Sequence, residues 1–62
     1  MIDLYSLCEL YIESQEEMQV WDNEQEKTVF SGTFHDAQFS EFSDAEVGSF
    51  GIENGVIVVN IN

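Results

Sequence analysis

An α+β domain with the element order α-β-β-α-β-β is the fold class this sequence predicts, and three observations predict it. Leu4, Leu7, Cys8 and Tyr11 recur at i, i+3, i+4 and i+7, the apolar period falls to two from Met18 onward, and Asn54-Gly55 divides two apolar runs near the end. Two hairpins joined by a short helix most simply form a four-stranded antiparallel sheet with the N-terminal helix packed on one face. At 62 residues this is one domain, 1–62, and a chain of that size buries only about 60 % of the surface its unfolded form exposes. High net charge alone would favour disorder, but 44 % of the residues are hydrophobic, five are Phe and none is Pro, so the composition is that of a folded chain.

The first helix is expected from Ile2 to about Ser14, with Asp3 as its cap: the carboxylate can accept an early backbone N–H and suits the positive end of the helix dipole. Cys8 then points inward as a small hydrophobe, and no basic neighbour is evident to activate its thiol. A strand follows from Met18, with Met18, Val20 and Asp22 on one side and Gln19 and Trp21 on the other. The polar stretch Asn23 to Glu26 supplies a turn. The next strand runs from Lys27 to about Thr33, with Thr28 and Phe30 on one side and Val29 on the other, and Gly32 marks its end or a bulge.

Thr33 can cap a helix of about two turns that begins at Phe34 or His35, with Asp36 placed as in a capping box and Ala37, Phe39 and Phe42 as the apolar content. At the C-terminal end, Asn54-Gly55 suits a type I′ turn, in which both central residues take positive φ. A two-residue loop sets the register: Glu53 opposite Val56, Ile52 opposite Ile57, Phe50 opposite Val59 and Gly48 opposite Ile61. Ile52, Ile57, Phe50, Val59 and Ile61 then emerge on one side, so turn chemistry and hydrophobic pattern select the same pairing. Phe50 is expected in the core. Val56 and Val58 face the other way and need cover from a helix or a partner. Strand order is not determined by these local patterns.

Thirteen Asp and Glu residues stand against a single cation, Lys27, for a net charge of −12. Affinity for nucleic-acid phosphates comes from Lys and Arg, so direct DNA or RNA binding is excluded as a function class. The longest aliphatic run, Val56 to Val59, is far short of the ~20 residues of a membrane span, and no basic signal-peptide region precedes the first helix. A lone Cys8 fits a reducing compartment, and the expected location is cytoplasmic. No catalytic, cofactor or metal site is expected. His35 beside Asp36 lacks a third partner, and Cys8 has no spacing that brings it to His35. Asp22 to Glu26 alternates oxygen ligands like the opening of a calcium loop, but Lys27 occupies the place of the required Gly and Thr33 that of the distal Glu.

The acids are concentrated in two stretches: Glu13, Glu16, Glu17, Asp22, Glu24 and Glu26 around the first hairpin, and Asp36, Glu41, Asp44 and Glu46 around the second helix. A merely soluble surface mixes both signs, whereas a compact polyanion is attracted by the positive grooves that handle nucleic acid. The expected partner is therefore a basic nucleic-acid-binding protein, contacted through Glu16, Glu17, Asp22, Glu24, Glu26, Asp36, Glu41 and Asp44, with Trp21 as an aromatic anchor. Two other readings stand beside it: a homodimeric structural or assembly module whose charge serves solubility, and a Mg²⁺-dependent nuclease built from converging acids.

The stretches Val20-Trp21-Asp22, Thr28-Val29-Phe30-Ser31-Gly32-Thr33-Phe34, Ala45-Glu46-Val47-Gly48-Ser49-Phe50 and Glu53-Asn54-Gly55-Val56-Ile57 resemble small acidic proteins encoded by phages and mobile elements of Gram-positive bacteria. The resemblance spans about Val20 to Ile61 and rests mostly on structural residues. Some such proteins are anti-CRISPR inhibitors. The resemblance thus implies a DNA-mimicking inhibitor in the host bacterial cell, directed at the Arg- and Lys-lined channel or PAM-reading surface of a CRISPR effector.

Overall fold

The computed structural model describes residues 2–10 and 17–62. Six elements follow one another: α1 (Leu4–Glu9), β1 (Glu17–Asp22), β2 (Lys27–Thr33), α2 (Phe34–Gln38), β3 (Val47–Glu53) and β4 (Val56–Ile61). This is the predicted α+β order. Asp3 caps α1 in extended backbone, its Oδ1 accepting from Ser6 N at 2.8 Å. The helix turns off at Leu10, and the rest of its predicted length, Tyr11 to Ser14, lies outside the described residues. Ile2 is not helical, because its carbonyl accepts from Val47 N at 2.9 Å. Leu4 N and Tyr5 N donate to the Ala45 and Ser43 carbonyls, each at 2.9 Å, so the free amides of the first turn are satisfied by the segment that leads into β3.

The sheet order is β2-β1-β4-β3, and β1 pairs with β4 in parallel. The sheet is therefore mixed, not wholly antiparallel as the sequence predicts. The physical reason is burial. A central strand is covered by neighbours on both edges and favours apolar side chains on both faces. β4 has Ile57, Val59 and Ile61 on one face and Val56 and Val58 on the other, whereas β3 has only Ser49, Gly51 and Glu53 on its second face. β4 thus takes the inner place beside β1. The chain reaches β3 from β2 through α2 and residues 39–46, which pass over one face of the sheet, so β4 returns in the direction of β1.

Both hairpins depart from simple pairing. In the first, the register shifts between Val20 and Trp21: Val20 faces Phe30 but Trp21 faces Thr28. The bulge lies there, not at Gly32, which pairs with Met18 inside β2. Its effect is to place Val29 and Phe30 both against the core, where strict alternation separates them. In the second, Asn54 (φ 52°) and Gly55 (φ 81°) adopt the positive angles of a type I′ turn, and the pairs Glu53/Val56, Ile52/Ile57 and Phe50/Val59 form as predicted. Ile61, however, faces Val47 rather than Gly48, because the register shifts between Val47 and Ser49. A Cβ on Gly48 would lie 2.8 Å from Asn62 Oδ1, so a larger residue there would displace the Asn62 side chain.

Leu4 and Cys8 of α1, Met18 and Val20 of β1, Phe34 and Ala37 of α2, and Val59 and Ile61 of β4 form the buried core. Thr33 Oγ1 accepts from Asp36 N at 3.2 Å and so starts α2 where the capping pattern predicts. Phe42, Ala45 and Val47 seal the margin of the core. Phe50 is not in the core as expected. It is 63 % exposed and Ile52 76 % exposed, because the helices cover β1 and β4 and stop short of β3 at the edge. Gln38 is buried between the helices, where its Nε2 donates to the Tyr5 carbonyl at 3.4 Å and its Oε1 finds no partner among the described residues. Met18→Ala is expected to cost about 2–5 kcal/mol and Ile52→Ala about 0.5 kcal/mol or less, a contrast that chemical denaturation of the two variants measures directly.

Candidate interaction surface

Because both helices lie on the face of Met18 and Val59, no described element covers the other face of the sheet. That open face carries Gln19 and Trp21 from β1, Thr28 from β2, Val56, Val58 and Asn60 from β4, and Glu53 from β3. Val56 and Val58, the residues the sequence leaves in need of cover, are half-buried here beside Trp21. Gln19, Trp21, Thr28, Glu53, Asn54, Val56 and Val58 line a depression of about 220 Å³. Gly51 stands opposite Val58, and with no side chain there the carboxylate of Glu53 borders the same hollow as Trp21, Val58 and Asn60. The site therefore joins a large aromatic surface to an exposed acid, the pairing that receives a Lys or Arg side chain through ring quadrupole and charge together.

The turn that follows Trp21 is rigid. Asp22 Oδ1 accepts from Glu24 N at 2.8 Å and Gln25 N at 3.3 Å, its Oδ2 accepts from Gln25 Nε2 at 2.9 Å, and Glu26 N donates to the Asp22 carbonyl at 2.7 Å. Partial desolvation raises the Asp22 carboxyl pKa, but these hydrogen bonds and the charge of Lys27 outweigh it and hold the group below its ordinary value. The Asp22 carboxylate, first of the alternating oxygens in this stretch, is thus engaged by the loop's own amides. Glu24 and Glu26 remain exposed on this fixed turn. The parallel strands β1 and β4 finish at the same end of the sheet, where Asn23 N donates to the Ile61 carbonyl at 2.9 Å and Asn62 Nδ2 to Glu46 Oε1 at 3.2 Å. Asp3 bridges to Glu46, and Asp44 lines a shallow hollow with both. Glu24, Glu26, Glu46, Asp3 and Asp44 accordingly follow one end of a sheet whose four strands span about 15 Å.

The predicted contact residues divide along this geometry. Trp21 and Glu17 sit on β1 with open-face parity, and Asp22, Glu24 and Glu26 form the adjoining turn. Asp44 belongs to the same end of the sheet by way of Glu46. Asp36 and Glu41 do not join them: they are exposed on α2 and on the segment after it, in the helical layer. Glu16 lies outside the described residues. Three members were missed by sequence reasoning, namely Glu53, Asp3 and Glu46. Glu53 meets Trp21 only through the strand order, which no local pattern encodes.

His35 Nδ1 lies 3.7 Å from Asp36 Oδ1 with both side chains mostly exposed, and the imidazole stacks edge-on with Phe39 at 5.2 Å between ring centres. Among the described residues, no three His, Cys, Asp or Glu side chains are gathered so as to hold a metal ion. Nor is any described helix long and apolar enough to cross a membrane. Cys8 is fully buried, and desolvation pushes its thiol up to about 11.

Two expectations follow. A neutral aromatic disulfide reagent should modify Cys8 far more slowly in the native protein than in denaturant, and a native rate equal to the denatured rate contradicts its burial. Asp22 and the capping Asp3, which Ser6 holds below the ordinary carboxylate range, contribute stability that is present above the unfolded-state value and lost as pH falls through the lower folded-state value. The stability difference between wild type and Asp22→Asn, followed by thermal melts from about pH 6 to about pH 2, should therefore shrink toward acid. Comparison of the chain with family models, with curated proteins and with solved structures finds no match.

Proposed function

We propose that this protein is a non-enzymatic binder that occupies a basic nucleic-acid-binding surface of another protein and so inhibits it by mimicking nucleic acid. The observation that carries the reading is the open sheet face: Trp21, Val56 and Val58 half-buried, Glu17 and Glu53 toward one end, and the fixed acidic turn Asp22 to Glu26 at the other. An apolar centre bordered by like charges is how an interface anchors in its middle and steers at its rim. The net charge of −12 repels nucleic acid itself and accelerates encounter with a cationic groove. Lys27, the single cation, stands opposite Asp22 in the strand pairing and leaves the acidic character of the face intact. In the resemblance noted above, the target is a CRISPR effector in the cytoplasm of a bacterial host, whose Arg- and Lys-lined channel holds a heteroduplex by its backbone.

The test is competition. A Cas9-type effector loaded with guide RNA is mixed with labelled duplex DNA carrying its PAM, and the protein is titrated in. Displacement of the DNA is expected at low salt and is expected to weaken by about tenfold or more on moving to several times that ionic strength. Trp21→Ala, and separately the double reversal Glu24→Lys with Glu26→Lys, should each weaken displacement by about tenfold. Displacement that ignores both salt and charge reversal, or none against any effector tried, removes the mimic reading.

A further inference from the structure

We infer that β3 is a self-recognition edge: two copies of this chain join through antiparallel β3–β3 pairing, centred on Gly51, into one continuous eight-stranded sheet. This goes beyond the partner reading above and rests chiefly on Phe50, Gly51 and Ile52, which that reading does not use.

The first observation is that this edge is open where the other is not. β2 carries a bulge and Lys27 and packs beside α2, all devices that discourage strand addition. Among the described residues, β3 is covered only at its beginning, where Val47 N donates to the Ile2 carbonyl at 2.9 Å and Asp3 bridges to Glu46. From Gly48 to Glu53 every residue is exposed, and the stretch contains neither Pro nor Lys.

Backbone direction supplies the second. A type I′ turn is closed by a hydrogen bond between its outer residues, so Glu53 directs its carbonyl toward Val56 of β4. Alternation then turns Gly51 inward as well and leaves the N–H and C=O of Phe50 and Ile52 pointing out of the sheet. Among the described residues these donors and acceptors have no partner, and they stand at the spacing an added antiparallel strand requires.

Register identifies the occupant as a second copy. With the two-fold axis at Gly51, Phe50 of one copy forms a hydrogen-bonded pair with Ile52 of the other, and the reverse, so the two exposed apolar side chains cover each other on the helix side of the sheet. Leu10, 77 % exposed, lines the apolar trough of about 260 Å³ that Phe50 also borders, and this extends the apolar surface beside the seam. On the open side, Ser49 meets Glu53 of the second copy, so the only acid in the stretch faces a hydroxyl and not its own duplicate. The paired segment ends where Ile2 and Asp3 already cover the strand. Gly51 meets Gly51 across the axis in a non-hydrogen-bonded pair, where Cα atoms lie about 4.5 Å apart, and a Cβ at Gly51 would touch nothing within 4 Å.

Two measurements decide it. In sedimentation of the full chain, the mass should rise from 7.1 kDa toward twice that value as concentration increases from about 10 µM to about 1 mM. The association should tighten with added salt, because screening relieves repulsion between two copies of charge −12. Ile52→Lys should weaken association by about tenfold or more while circular dichroism stays unchanged, since the side chain is outside the core. Under mild oxidation, Gly51→Cys should cross-link into a disulfide dimer much faster than Ser49→Cys, because only the former has Cα atoms within the 4.4–6.8 Å that a disulfide spans. A chain that stays monomeric at the highest concentration in high salt, a dimer indifferent to Ile52→Lys, or equal cross-linking of the two cysteine variants overturns the inference.

Discussion

The parallel pairing of β1 with β4 is the constraint on which the rest of this small structure depends. Met18, Val20, Val59 and Ile61 come from these two strands and make up half of the fully buried apolar side chains among the described residues. The helices contribute the other half by lying across that pair: Leu4 and Cys8 from one, Phe34 and Ala37 from the other. Each hairpin alone has one good apolar face and nothing to bury it against, and an isolated two-stranded ribbon is marginal in water. Met18 and Ile57 face each other although thirty-nine positions separate them, so this contact costs more loop-closure entropy than either local hairpin.

That dependence explains which parts of the fold were legible in the sequence. The cap at Asp3, the capping pattern of Thr33 with Asp36, and the turn at Asn54-Gly55 are short-range devices, each a side chain or backbone angle acting within a few residues, and each is found where the residues predict it. Strand order is a long-range outcome that no local pattern supplies, and the expectation of a wholly antiparallel sheet fails at the parallel β1–β4 pair. A clue did exist: a strand reading Val56-Ile57-Val58-Val59 is apolar on both faces and belongs inside a sheet, while Gly48-Ser49 and Gly51 in β3 suit an edge. The bulge in β2 was expected at Gly32 and lies at Val29, which has no local mark of irregularity, whereas Gly48 carries the same glycine signal and was read as a regular pair of Ile61.

The surface was only partly legible for the same reason. Trp21 and the turn from Asp22 to Glu26 are neighbours in sequence and so remain neighbours in space. Glu53 reaches Trp21 across the one intervening strand, β4, and Asp3 reaches Glu46 because the start of the chain is stitched to the start of β3. Conversely, Asp36 and Glu41 were grouped with the other acids by charge alone and lie in a different layer. The acidity therefore comprises several regions: an end of the sheet, the rim of an open face, and separate charges on the helical side. The first two border the open sheet face with its Trp21, Val56 and Val58 surface, which can hold a partner once attraction has delivered it.

The unlike edges of the sheet carry a consequence for how far assembly can proceed. Strand addition that uses the same edge on both participants consumes that edge completely, and what then faces outward on either flank is β2, blunted by its irregular pairing and by the chain's lone lysine. In the dimer inferred above, growth would therefore stop at two members, because the flanks left outward offer a blunted edge instead of a template for a further strand.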